Sequence, residues 1–538
     1  MVSKHLAVII LYLSLALECA AGSKTDNRWG DLGNGTFANP VLNADYSDPD
    51  VIRVGDRYYM TCSEFHYMGM PVLESTDMVN WRIIGQVYDR MDFPGYSDMT
   101  RYAEGTWAPA LRYHDGKFWI FVCTPEEGLL MTAAEKPEGP WEPFHVVRSV
   151  AKWEDPCPFW DEDGQAYLVR SRHRAGPIII HRMSPDGRTL LDEGVTVYKG
   201  PVAEGPKMFR KDGYYYISIP EGGVSKGWQT ILRSKNIYGP YESKRVLETG
   251  STDVNGPHQG SLVETPEGDW WFYHFQSAGP RGRVLHLQPV KWVDGYPAIG
   301  TDYDGNGVGE PMKICRMPLG KSAPSAPQTS DDFDGTSVGI QWQTNHNPVS
   351  ENITLTDRRG WLTITPLPAT WLRMARNQLT QKIMGFRSAA ETLIDFSDMK
   401  AGERSGLECL GKSFTGAGIM AEPDARGGIT PVIYMEQDSL VTFTRPLDNT
   451  EAKSITIRLD IDTDANRFQY SYSTDGRKFH PLGEPFEMKE GFWKGVRTGL
   501  YSYTTTTADK NQPGKSHFDF FRYTHDGPPT DGTVRNQF

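Results

Sequence analysis

EGPKMFRKDGYYYISI, residues 204–219, decides how this chain folds. Two strand-like runs, the second rich in tyrosine, flank the dipeptide Asp212-Gly213, and a carboxylate, Glu204, heads the first run beside Gly205 and Pro206. Asp-Gly between β-formers is the signature of a tight hairpin. One hairpin decides little, but the pattern recurs as SDPDVIRVGDRYYM (47–60), WAPALRYHDGKFWIF (107–121), EDPCPFWDEDGQAYLV (154–169) and QGSLVETPEGDWWFYHF (259–275). The turn glycines Gly55, Gly116, Gly164, Gly213 and Gly268 are spaced by roughly 50 to 60 residues, within reach of a propeller-blade period. A four-stranded unit cannot bury its faces alone. Five of them around an axis close into one body whose lead-in loops meet at one end. Asp48, Asp155 and Glu204, at the heads of the first, third and fourth units, are then expected to converge as equivalent positions.

The chain has 538 residues, more than one hydrophobic core usually serves. The five-fold pattern stops after Trp292, and KSAPSAPQTS (321–330) reads as a Pro/Ser linker. Beyond it, WLTITPL, SITIRLDID, FQYSYSTDGRKF and HFDFFRYTHDG alternate without that period, as a β-sandwich does. The expected organisation is all-β: a signal peptide over 1–21, a five-bladed propeller over 22–320, a linker over 321–330 and a sandwich over 331–538. Trp342, Trp361, Trp371 and Trp493 read as strand core, and TTTTADK (504–510) as an idle surface loop.

Lys4 and His5, the apolar run 6–17 and the small residues after Cys19 have the zones of a secretory signal, too short to span a bilayer. Export to the periplasm or medium is expected, with no membrane span. A net charge of −12 argues against nucleic acid and anionic membrane surfaces as partners. The six cysteines include no CxxC pair, so neither a zinc site nor a disulfide framework is implied, and Cys62, Cys123, Cys157, Cys315 and Cys409 each read as a small buried hydrophobe.

Taken singly, Asp48 and Asp155 sit in Asp-Pro contexts that favour turns, and Glu204 at a strand head suits a solvated loop. Brought together they equip acetal hydrolysis, which needs a proton donor and a second carboxylate that activates water or attacks directly. The order Asp48, Asp155, Glu204 resembles glycoside hydrolase family 43. The resemblance covers nearly the whole chain and is also carried by SEF (63–65) followed by DMVNW (77–81), by the WAPALRYHDGKFWIF unit, and by HQGSLVET (258–265) with GRVLHLQPVKW (282–292).

The resemblance implies a five-bladed propeller followed by a concanavalin A-like jelly roll. It also implies exo-acting, inverting removal of β-D-xylose or α-L-arabinofuranose from plant polysaccharides and oligosaccharides. Asp48 resembles the general base, Asp155 the carboxylate that orients the acid and keeps it protonated, and Glu204 the general acid. Phe65 and Trp107 are similar to aromatics that wall the terminal sugar, and His258 and Arg283 to substrate-binding positions. Inversion implies carboxyls of Asp48 and Glu204 roughly 6.5 to 9.5 Å apart. No cofactor is required. A structural, largely water-coordinated Ca²⁺ near His258 is the one metal the resemblance allows, and no acidic cluster of the EF-hand type is read in the sequence. HYMGMPV (66–72) and Gln259 depart from the family pattern and are expected at the pocket rim, where they bear on substrate identity.

Two rival readings are weaker. A retaining invertase or inulinase would show Asn-Asp-Pro-Asn-Gly at Asp48 and a Cys after Glu204, and this chain has neither. A non-catalytic sugar-binding propeller would have no need of three intact carboxylates.

Overall fold

The computed structural model describes residues 29–320, 322–447, 452–505 and 513–530. The expected signal peptide and most of TTTTADK lie outside the described residues. Five four-stranded antiparallel sheets follow one another along the chain. Their innermost strands are Asp50–Val54, Trp107–His114, Trp153–Trp160, Lys207–Lys211 and Leu262–Glu264. Each pairs with the next strand through the hairpin read from sequence; Asp115-Gly116 and Asp212-Gly213 have positive φ at both positions, the backbone a two-residue turn between twisted strands requires.

Neighbouring sheets are joined face to face by apolar clusters. Val72, Leu111 and Ile120 join the first to the second, Phe121, Leu129 and Leu168 the second to the third, Val169, Met208 and Ile217 the third to the fourth, and Tyr216, Ile231 and Phe272 the fourth to the fifth. Val51, Tyr58, Val263 and Leu285 close the ring between fifth and first. That last cluster runs without a break into Phe333, Leu379, Leu407 and Phe518 of the C-terminal half, so the two halves share one core.

The C-terminal half is a sandwich of a nine-stranded and a seven-stranded sheet. Tyr67–Met68, from the insertion after the first inner hairpin, pairs with Gln343–Asn345 and becomes an edge of the nine-stranded sheet. HYMGMPV is thus buried between the halves, and the sequence expectation that it forms the pocket rim is corrected: His66, Tyr67, Met68 and Met70 are all buried. The linker is also tied down. Ser322 Oγ donates to Asp77, Ser325 N–H to Asn80 Oδ1 at 2.6 Å, and Gln328 exchanges two hydrogen bonds with the Ile83 backbone.

A buried ionic cluster fastens the halves together. Glu64 accepts from Lys382 Nζ at 2.6 Å and Arg497 at 2.8 Å, and Lys494 Nζ lies 2.9 Å from Asp45 Oδ2. Burial alone pushes Glu64 up, but the charges of Lys382, Lys494 and Arg497 outweigh it and hold the carboxyl below its usual range.

Candidate active site

At one end of the axis the lead-ins of the five inner strands repeat a backbone detail. Asp48, Ala108, Asp155, Gly205 and Gln259 have φ of 52, 40, 56, 54 and 51°. Four of the five precede a proline. Left-handed φ at a non-glycine residue costs about 1–3 kcal/mol and collects at functional sites. Here it breaks the two-residue alternation of a strand. The register slips between Trp107 and Ala110 and between Glu154 and Cys157, and two consecutive residues, Trp107 with Ala108 and Glu154 with Asp155, line the same pocket. The expected equivalence of three carboxylates is therefore shifted by one: Asp48 and Asp155 match, while Glu204 precedes Gly205 as Glu154 precedes Asp155.

The three expected carboxylates all line one cavity of about 380 Å³. Asp48 accepts from Ser63 Oγ at 2.6 Å and is paired with Arg283. Asp155 accepts from Ser171 Oγ and from the Gly205 backbone N–H, each at 2.8 Å. That second bond ties Asp155 to the residue beside Glu204. A Cβ at Gly205 would meet Pro220 Cγ at 2.9 Å and Gln259 Cδ at 3.0 Å, so only glycine permits this approach. Burial, followed by the neighbouring Asp155 charge, pushes Glu204 up to about 8, against a partial pull back by Arg283. Burial likewise raises Asp155.

Phe65, Trp107 and Arg283 also line the cavity, and the Phe65 and Trp107 rings pack 5.4 Å apart. His258 does not line it: the residue is 0% exposed and sits behind Glu204, with Nε2 4.0 Å from Oε1. Its expected substrate contact is thus corrected to a place in the second layer. Since Nδ1 faces the Gly256 carbonyl at 2.7 Å, Nδ1 carries the proton and Nε2 is a lone pair without a partner. Burial holds the ring at about 4, neutral in the physiological range.

Two features were not read from the sequence. Trp493, assigned to strand core, is 55% exposed, has φ of 61°, and projects from the sandwich into the pocket rim. It meets Trp107 edge-on at 5.4 Å and Phe65 at 6.0 Å. The next residue, Lys494, donates to the Ser63 carbonyl at 2.7 Å, so the C-terminal half anchors the segment that holds Asp48. Glu154 is the second, and the signal for it was present: EDP (154–156) parallels EGP (204–206).

A larger cavity of about 490 Å³ opens at the opposite end of the axis. There Asp50 is paired with Arg112 and Lys207, and Asp161 and Glu162 with Arg210. For a calcium ion near His258 the surroundings offer one imidazole nitrogen, one Glu204 oxygen 4.0 Å from it and a Gly256 carbonyl already bonded to Nδ1, a sparse set for a hard cation. Among the described residues, the acidic groups close enough to share an ion are Glu154, Asp155 and Glu204, and Asp302, Asp304 and Glu310. The residues present do not fit a protein-built calcium site at His258. The second group corrects the reading that no dense acidic loop exists, for Asp302, Asp304 and Asn306 stand at alternate positions in DYDGNG (302–307).

Comparison with known proteins agrees with this geometry. Residues 37–297 match the family model described as Glycosyl hydrolases family 43, and residues 330–524 that of the beta xylosidase C-terminal Concanavalin A-like domain. A protein of Xylanibacter ruminicola named as a beta-xylosidase is 51% identical over 471 residues, 88% of this chain and 87% of its own. A beta-xylosidase of Formosa agariphila is 36% identical over 560 residues, 93% of this chain and 92% of its own. The crystal structure of a family 43 protein from Bacillus licheniformis superposes with a TM-score of 0.78 at 25% identity, covering 91% of this chain and 99% of that one. With a propeller, a jelly-roll sandwich and a carboxylate pocket at the axis, the chain belongs to glycoside hydrolase family 43 and is a glycosidase.

Proposed function

We propose that the chain is an exo-acting, inverting enzyme that removes a terminal pentose, β-D-xylose foremost, from plant-derived oligosaccharides after export from the cell that makes it. One observation carries the chemistry: Glu204, raised well above the carboxylate range, shares a pocket with Asp48, which Ser63 and Arg283 hold in place. Glu204 donates its proton to the departing glycosidic oxygen as the bond from that oxygen to the anomeric carbon breaks. Asp48 takes a proton from water as the water oxygen bonds to the same carbon from the opposite face. Asp155 touches neither reacting oxygen; it fixes the Glu204 segment through Gly205 and disfavours ionisation of Glu204. The reaction needs no cofactor.

Exo action is supported by Trp493, which with Phe65 and Trp107 narrows one side of the pocket. Product analysis on xylohexaose tests it: xylose as the first and dominant product supports the reading, and early xylotriose and xylobiose overturn it. The choice of pentose is tested with 4-nitrophenyl β-D-xylopyranoside against the α-L-arabinofuranoside, where a higher kcat/KM is expected on the xyloside. Trp493→Ala is expected to raise KM for xylobiose about tenfold, the loss of ~1.4 kcal/mol of ring contact, with the melting temperature unchanged because the ring is half exposed.

Because the acid must carry its proton, kcat/KM falls as pH rises through the Glu204 pKa. The fall is expected near pH 8, where burial and Asp155 have pushed it, far above the ordinary glutamate value of 4.5. An alkaline limb near pH 5 would contradict the assignment. The same displacement links to stability: an acid raised on folding stabilises the protein below its unfolded pKa, and that contribution is lost as pH rises through the folded value.

A further inference from the structure

The residue ahead of each left-handed position is Ser47, Trp107, Glu154, Glu204 and His258 in blades one to five. Glu154 therefore stands where Glu204 stands, one blade earlier. Oxygens from Glu154, Asp155 and Glu204 lie within 4.8 Å of one another. The Glu154 side chain is 11% exposed and lines the pocket. Its partners are His173, with Nδ1 3.3 Å from Oε2, and the Ala175 backbone N–H, and His173 in turn packs on Trp107 at 5.5 Å.

Acid–base hydrolysis of one glycosidic bond uses an acid, a base and a group that orients the acid. Glu154 is a fourth carboxyl that this chemistry leaves without a task. Among the described residues neither a lysine nor an arginine pairs with it, and Arg283 is taken by Asp48. Burying a carboxyl beside two others without a cation costs stability, and a bulge in the inner strand is given over to aiming it inward. A carboxyl that costs stability in the free protein, is held only by an imidazole and a backbone N–H, and faces an open pocket is placed to meet what enters that pocket.

We propose that Glu154 is a substrate-binding residue that hydrogen-bonds a sugar hydroxyl flanking the scissile bond, with His173 as the side chain that positions it. The placement relative to the scissile bond rests on the reading of Glu204 as the acid. Burial and the Asp155 charge hold the Glu154 carboxyl well above its usual range. At neutral pH it thus offers an O–H donor together with an acceptor oxygen, which suits a diol better than a cation.

The test measures xylobiose binding by calorimetry in a Glu204→Gln background, with and without Glu154→Ala, alongside turnover and melting temperature of the single variants. Glu154→Ala is expected to weaken xylobiose at least tenfold and raise KM to match, with a melting temperature equal to or above that of the parent. Glu154→Gln should recover part of the affinity, since an amide also donates and accepts. Affinity and KM within twofold of the parent in Glu154→Ala would overturn the proposal. So would a loss of binding that appears in both variants together with a lower melting temperature, the mark of a structural role. If Glu204→Gln itself leaves turnover intact, it is the assignment of the acid that fails, an outcome distinct from these.

Discussion

Glu204→Gln is expected to lower kcat/KM on xylobiose by roughly 10²–10⁴-fold, the range a positioned general acid supplies. Glutamine keeps the shape and the hydrogen-bonding oxygen of the side chain but has no proton to transfer. The Glu204 backbone N–H is bonded to Pro220 O at 3.2 Å, a contact that does not depend on the carboxyl, and glutamine fills the same volume, so the fold is expected to survive. The size of the loss should follow the leaving group. A sugar alkoxide needs protonation as it departs, whereas a nitrophenolate leaves largely unaided, so the loss on 4-nitrophenyl β-D-xylopyranoside should be at least tenfold smaller than on xylobiose. Equal losses on both substrates would assign Glu204 to binding. Asp48→Asn should instead depress both substrates alike, because activating the water is common to them.

Glu64→Ala is expected to cost about 3–5 kcal/mol of unfolding free energy, the range for breaking a buried ion pair from one side, read from urea denaturation. Glu64 is 0% exposed and sits among Lys382, Lys494 and Arg497, side chains no more than 7% exposed. Removing it leaves Asp45 to balance three cations in a dry interface. The exposed pair Arg148–Glu193 provides the contrast; cutting it should cost no more than about 1 kcal/mol. The effect should also reach the chemistry. Glu64 lies between Ser63, which holds Asp48, and Phe65, which lines the pocket, and Lys494 is adjacent to Trp493. A fall in kcat below the unfolding transition, absent from Arg148→Ala, would show that the sandwich sets the geometry of the propeller's pocket.

The sequence is most informative where local chemistry repeats. Asp-Gly turns and alternating strands are decided by neighbours a few residues away, and five of them in phase leave few architectures open. Asp48, Asp155 and Glu204 were legible for the same reason, each standing next to a strand head. Asp-Pro and Glu-Gly-Pro look interchangeable in sequence until the left-handed residue fixes the phase, which hides the off-by-one alignment of Glu204. Trp493 and Lys494 could not be placed, since their neighbours in space, Phe65 and Ser63, lie more than 400 residues away in sequence. Nothing in the composition of HYMGMPV indicates that Tyr67–Met68 completes a sheet of the other half, so its burial there is invisible in the sequence. The alternate spacing of Asp302, Asp304 and Asn306, by contrast, is visible in the sequence.

The central claim, that Glu204 and Asp48 work from opposite faces of one sugar, is tested most directly by proton NMR of the xylose first released from 4-nitrophenyl β-D-xylopyranoside, whose leaving group carries no anomeric centre. α-Xylose is expected before mutarotation. β-Xylose as the first anomer would contradict it.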